Sequence, residues 1–164
     1  MKKHSLKDDI GYWINRLRME VHSSFESKLI VYGITIPQWS LLVAVYNNDG
    51  NNVSSLSAFI ETDKGFVSRV IEQLVQMELV ERKEGKDRRS QEVLLTSKAK
   101  VLTAQLIQCA NQNEKEFFSI LTQREKESLK HILIKLLKNT AVESLGGFLN
   151  ETIESGKIKG ELNE

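Results

Sequence analysis

Apolar residues recur at steps of three and four through most of the chain and alternate at steps of two in only one stretch. Leu6, Ile10, Trp13, Ile14, Leu17, Val21 and Phe25 share one side of a helical period, so residues 5–32 are predicted as one long amphipathic helix. Ser5 and Asp8 fit a capping box at its start, each offering oxygen to an orphan backbone N–H. At about 1.5 Å per residue such a helix is roughly 40 Å long. That exceeds what a small domain covers, so its apolar stripe predicts a second chain. Gly33 ends it. In "TIPQ" Thr35 caps the next helix, Pro37 lies in the first turn and Gln38 reaches back as box partner. Trp39, Leu42, Val43 and Tyr46 follow, up to the turn signal "NNDGNN". Residues 53–60 form a short helix on Val53, Leu56, Phe59 and Ile60. "ETD" breaks it, and Asp63 suits the N-cap of its successor.

Residues 64–78 carry the cleanest stripe, with Val67, Val70, Ile71, Leu74 and Val75 on one face. The opposite face presents Gly65, Arg69, Glu72, Gln73 and Gln76. Residues 79–83 and 91–95 then alternate as two strands around a turn at 84–90. A second long helix runs from Thr96 to about Leu121 on Ala99, Leu102, Leu106, Ile107, Ala110, Phe117 and Leu121. Thr122 and Glu125 of "TQRE" make a further capping box, opening a third helix on Leu129, Ile132, Leu133, Leu136 and Leu137. Gly146 and Gly147 end it, and residues 148–164 are a weakly patterned tail.

Composition narrows the class. The chain has 164 residues, 40% hydrophobic and 27% charged, with few glycines and one proline, which favours helices over a sandwich or barrel. The net charge of +1 gives no global attraction to nucleic acid or membrane, so any basic surface is local. Cys109 is the single cysteine, excluding an internal disulfide and suiting a reducing cytoplasm. No apolar run reaches the roughly 18 residues of a membrane span, and the N-terminus has no signal-peptide core. A cytoplasmic protein with no membrane partner is expected.

The turn "RKEGKDRR" is where charge gathers. Arg82, Lys83, Lys86, Arg88 and Arg89 oppose Glu84 and Asp87, a local +3. Cations crowded on a hairpin tip repel one another until phosphates are present, when released counterions make them favourable. A helix-turn-helix followed by a basic hairpin is the winged-helix arrangement, suited to double-stranded DNA. The helix enters the major groove while the hairpin reaches phosphates or the minor groove beside it. The expected fold class is mainly α with a small β-hairpin wing. A winged helix-turn-helix head spans 35–95, a connecting helix 96–121, and long N- and C-terminal dimerisation helices 5–32 and 122–145. By placement Lys64, Gln73, Lys86, Arg88 and Arg89 face DNA, with Gly65 on the same side. Asp87 orients Arg89 by a charge-assisted bond. Glu72, which phosphate would repel, either meets a cytosine amine or marks the footprint's edge.

The order of a long helix, "TIPQWSLL", "VSSLSAFIETDKGFVSRVIEQLVQMELVER", "DRRSQEVLLT" and two further helices resembles the MarR/SlyA family of bacterial transcription regulators. The likeness covers about residues 8–140, most of the chain. It implies a homodimer whose first and last helices interleave, with two heads on a pseudo-palindromic operator, repression being the expected mode. It implies that Asp87 and Arg89 are the wing's aspartate–arginine pair, the arginine entering the minor groove, and that Ser68 and Arg69 match the "SR" of the recognition helix. Glu61 and Glu78 stand where the family commonly has glycine, and "KGF" replaces its usual hydroxyl pair at the head of the recognition helix. Members often bind a small aromatic, frequently phenolic, ligand between dimer helices and head; Tyr12, Arg16, His22 and Trp39 are the candidates here. For Trp39 the plain alternative is core, and for Arg16 and His22 a solvent-facing or interface position.

Catalysis has no support: there is no phosphate-binding glycine loop and no nucleophile elbow. His4, His22, His131 and Cys109 lack ligand spacing, so no metal and no cofactor is expected. Cys109, mid-helix three residues after Leu106 and beside Ala110, reads as a buried, inert thiol; peroxide-sensing members of the family it resembles carry theirs in the first helix, where this chain has none. Two other classes fit the same fold: a winged-helix protein-interaction module, and a small-molecule-binding protein without a specific DNA target.

Overall fold

The computed structural model describes residues 5–84 and 91–140. Leu6–Asp8 form a single 3-10 turn, followed by helices α1 (Ile10–Ile30), α2 (Ile36–Tyr46), α3 (Val53–Phe59) and α4 (Lys64–Gln76). Strands β1 (Val80–Glu84) and β2 (Gln91–Leu95) come next, then α5 (Ser97–Phe118) and α6 (Gln123–Thr140). The architecture is mainly α with one two-stranded antiparallel hairpin, as expected. The chain divides into two compact units, one ending at Phe117 and one beginning at Phe118. Gly146, Gly147 and the 148–164 tail lie outside the described residues.

The expected box at Ser5 and Asp8 does not form. Asp8 N donates to the Ser5 carbonyl at 2.9 Å, the bond of a 3-10 turn, so the N–H that the Ser5 hydroxyl was to satisfy is already taken. Helix α1 therefore starts at Ile10, and Trp13 Nε1 ties the turn to it by donating to the Lys7 carbonyl at 2.9 Å. The stripe of α1 splits in two. Phe25 and Leu29 are buried in the first unit, whereas Ile10, Trp13, Ile14 and Leu17 remain exposed.

The head is assembled as its capping signals dictate. Thr35 Oγ1 accepts from Gln38 N at 3.4 Å and Gln38 Oε1 accepts from Thr35 N at 3.0 Å, a reciprocal box. Asn52 and Ser55 form a second box inside the turn before α3, with Ser55 N donating to Asn52 Oδ1 at 2.9 Å. Asp63 Oδ1 accepts from Phe66 N at 2.8 Å and starts α4. Leu41, Leu42, Leu56, Val67, Ile71 and Leu74, each at most 1% exposed, form the centre of the core. Val75, expected on that stripe, sits at its margin and is exposed.

Glu61 (φ 53°) and Glu78 (φ 58°) adopt left-handed backbone, which glycine enters without the Cβ clash a glutamate suffers. These are the two places where the resemblance leads one to expect glycine. Glu78 is held there by its surroundings: its carbonyl accepts from Thr96 Oγ1 at 3.0 Å. Thr96 also closes the hairpin, N to the Leu79 carbonyl at 3.1 Å, and caps α5 by accepting from Ala99 N at 3.2 Å. The hairpin pairs Val80 with Leu95, Arg82 with Val93 and Glu84 with Gln91. Val93 N donates at 2.7 Å to the Asn51 carbonyl, securing β2 to the loop before α3.

In the second unit, Thr122 and Glu125 form the expected box: Glu125 Oε2 accepts from Thr122 N at 2.8 Å, and Glu125 N donates to Thr122 Oγ1 at 3.3 Å. The hydrogen bonds from Thr122 hold the Glu125 carboxyl below its usual range. Ile132, Leu133, Leu136 and Leu137 of α6 are all exposed.

Candidate nucleic-acid interface

Helix α4 has two unlike sides. Val67, Val70, Ile71 and Leu74 bury one, which fixes the helix against the rest of the head. Lys64, Gly65, Arg69, Glu72, Gln73 and Gln76 are exposed on the other, with Ser68 half-buried between. Asp63 caps the N-terminus, and a Cβ built on Gly65 would lie 3.1 Å from Asp63 Oδ1. Glycine at that position thus leaves room for the cap and keeps the first turn slim, as close approach to a groove requires.

The charged groups sort themselves in a way the sequence left open. Arg69 pairs with neither Asp63, which is engaged as cap, nor Glu72; among the described residues it has no ion-pair partner. Glu72 is instead met by Arg82 of β1, at 3.7 Å, and Arg82 also reaches Gln91 Oε1 at 3.5 Å. The acid that phosphate would repel is therefore offset by a wing cation, and that contact links β1 to α4. Lys64 and Arg69 remain as outward cations on α4, about 1.4 turns apart. Lys86, Asp87, Arg88 and Arg89 lie outside the described residues.

Gln73 is exposed but not idle. Its Oε1 accepts at 3.2 Å from Nε2 of Gln38, which is itself buried. Sequence reasoning placed Gln38 only in the capping box; its second bond spans 35 positions and no local signal announces it.

The four residues proposed for a ligand are not gathered by the contacts they make. Tyr12 is half-buried and edge-on to Trp13, with centroids 5.2 Å apart. Arg16 pairs with Glu20 at 3.3 Å on an open surface, and His22 is exposed. Trp39 packs edge-on to Phe25 at 4.7 Å, against the core, and its buried Nε1 finds no acceptor among the described residues. Cys109 is half-buried rather than inaccessible. The charge it can carry, its hydrogen bond and partial burial together push the Tyr32 phenol above its ordinary range. Among the described residues no three His, Cys, Asp or Glu side chains cluster to hold a metal ion. Nor is any described helix long and apolar enough to cross a membrane.

An anchored helix with an open polar face, followed by a hairpin that carries cations back toward it, defines a winged-helix transcription regulator. The MarR family model matches residues 34–90, the stretch from the start of α2 to the wing. A MarR transcriptional regulator from Methanosarcina mazei Go1 is 32% identical, covers 80% of this chain and 95% of its own, and superposes with a TM-score of 0.68. The HTH-type transcriptional regulator MgrA of Staphylococcus aureus is 25% identical over 138 residues, 82% of this chain and 92% of the relative. CouR from Rhodococcus jostii RHA1, bound to p-coumaroyl-CoA, shares the fold with a TM-score of 0.73 at 20% identity, over 82% of this chain and 95% of CouR. The chain belongs to the MarR family of transcriptional regulators.

Proposed function

We propose that the protein regulates transcription as a homodimer bound to a pseudo-palindromic operator in double-stranded DNA, with α4 in the major groove and Arg89 of the wing tip in the minor groove. The observation that carries this reading is the exposed face of α4. Lys64, Gly65, Ser68 and Arg69 occupy its N-terminal half, the part of a recognition helix that reaches base edges first, and Gln73 continues that face one turn beyond Arg69. Their setting is rigid, because the opposite side of the same helix is core. In the sequence Lys86, Arg88 and Arg89 follow β1, and their positive charge would suit the phosphates flanking the groove, with Asp87 to orient Arg89.

Dimerisation is supported by the exposed apolar stripes of α1 and α6, here assigned to a second copy. Each square ångström of apolar surface removed from water contributes about 25 cal/mol, so two such stripes per protomer are a large driving force. A two-fold dimer presents two copies of α4, which makes the operator's symmetry follow from the protein's own.

A second reading concerns control. The buried indole N–H of Trp39 lacks an acceptor among the described residues, and an unmet donor of this kind costs free energy until something accepts from it. CouR carries p-coumaroyl-CoA, although at 20% identity the likeness extends to the fold alone. A small aromatic ligand accepting from Trp39 would alter operator affinity only by its differential affinity for two arrangements of the heads.

The test is fluorescence anisotropy of the protein on the duplex upstream of its own gene, against a scrambled duplex, at two salt concentrations. Tight, selective binding with a log–log salt slope of several units is expected, about −0.9 for each phosphate neutralised. Arg89→Ala should weaken selective binding and leave fold and dimer intact. Equal, weak, salt-insensitive binding to both duplexes would favour a protein-interaction module instead.

A further inference from the structure

The hydrogen bonds around Gln38 have a forced direction. A backbone N–H only donates, so the Gln38 atom facing Thr35 N at 3.0 Å is the carbonyl oxygen, Oε1. The other end of the same amide is then NH2, which also only donates, so the Gln73 atom facing it at 3.2 Å is again an oxygen. The polarity set at the start of α2 thus passes through one buried amide into a second, exposed one. Gln73 is left with its Nε2 directed away from Gln38, and among the described residues nothing accepts from it. It lies one turn beyond Arg69, on the same exposed face of α4.

A glutamine free to choose pairs with adenine through both ends of its amide, accepting from N6 and donating to N7. Gln73 has its oxygen held inward by Gln38, so the end of its amide left to face outward is the NH2, a donor. Guanine offers two acceptors side by side, O6 and N7, whereas adenine sets the N6 amine, a second donor, next to N7. We propose that Gln38 is a specificity-determining positioning residue: by holding Gln73 Oε1 inward it makes Gln73 select guanine over adenine. This rests on the reading that α4 is the DNA-facing helix.

Selection of full-length protein on randomised duplexes tests it, with Gln73→Ala marking the base pair that Gln73 governs. The wild type should prefer guanine there by roughly fivefold or more, the span of one good base contact. In Gln38→Glu the carboxylate still accepts from Thr35 N–H but offers Gln73 only an acceptor. The Gln73 amide then turns over, its oxygen faces outward, and preference moves to the donor bases, cytosine or adenine. Gln38→Met, close in size and without polar atoms, frees Gln73 and should erase the distinction between guanine and adenine; it carries the test alone if the buried carboxylate impairs folding, which circular dichroism reveals. A guanine preference unchanged in the Gln38 variants, a uniform loss of affinity with no change of base, or a Gln73→Ala variant that leaves every position as it was would each overturn the proposal. A wild type that selects no motif removes the DNA-binding reading itself, a distinct result.

Discussion

Helices α4 and α6 carry apolar stripes of almost the same spacing, yet only one is closed. On α4, Val67 and Ile71 are 0% exposed and Leu74 is 1% exposed. On α6, Ile132, Leu133, Leu136 and Leu137 retain between 40% and 58% of their surface. Periodicity tells which residues share a face; it does not tell whether the same chain covers that face. For α4 the covering elements are α2, α3 and the hairpin of the same head. For α6 we propose a second copy, as for the exposed half of the α1 stripe.

Two truncations, one on each helix, sharpen that contrast. Ile71→Ala removes a fully buried side chain and should cost about 2–5 kcal/mol of folding stability, read as a lower urea midpoint. Leu136→Ala should act chiefly on association, by about 1.5–3 kcal/mol for each side chain a dimer buries, read as at least a tenfold rise in the dimer dissociation constant. If Leu136→Ala instead destabilised the dilute protomer as much as Ile71→Ala does, the α6 stripe would be closed within its own chain and the contrast would fail.

A smaller effect separates what is strained in the head from what is merely packed. Glu78 holds a left-handed φ of 58° just before β1. Glu78→Gly removes a clash of roughly 1–2 kcal/mol but gives the unfolded chain more freedom. The net expectation is a gain of about 0.5–1 kcal/mol, visible as a higher thermal midpoint.

The smallest effect lies where α1 meets α5 within the first unit. Lys28 Nζ donates to Glu116 Oε2 at 2.6 Å and to Asn113 Oδ1 at 3.1 Å, and Asn113 Nδ2 donates to the Val21 carbonyl at 3.2 Å. The hydrogen bond from Lys28 lowers the Glu116 pKa, with partial burial opposing and the Lys28 charge adding to it. A lowered folded-state pKa gives stability that is present above the unfolded value, near 4.3 for a glutamate, and lost as pH falls through the folded one. Glu116→Gln should therefore be slightly less stable than wild type at neutral pH, with the gap closing in acid. A gap that stays constant across a pH series of urea melts would contradict this.

Local signals were the legible part of the fold. The Thr35–Gln38 and Thr122–Glu125 boxes and the Asp63 cap involve partners three residues apart, so the sequence displays both members together. The same reasoning misjudged Ser5, because whether a 3-10 turn pre-empts the bond depends on backbone geometry rather than on residue type. It also missed the Asn52–Ser55 box, hidden within a run of asparagines that reads simply as a turn. Of the candidate interface, the exposed side of α4 was legible from spacing alone. The Arg82–Glu72 pair and the Gln38–Gln73 bond were not, since each joins residues that only the packed fold brings together.

The most direct measurement of the central claim, a self-contained head on arms completed by a second copy, is sedimentation velocity at micromolar concentration, alone and with an operator duplex. A species of twice the 18.7 kDa chain mass is expected, and one such dimer per duplex. A stable particle of single-chain mass, binding DNA without pairing, would contradict it.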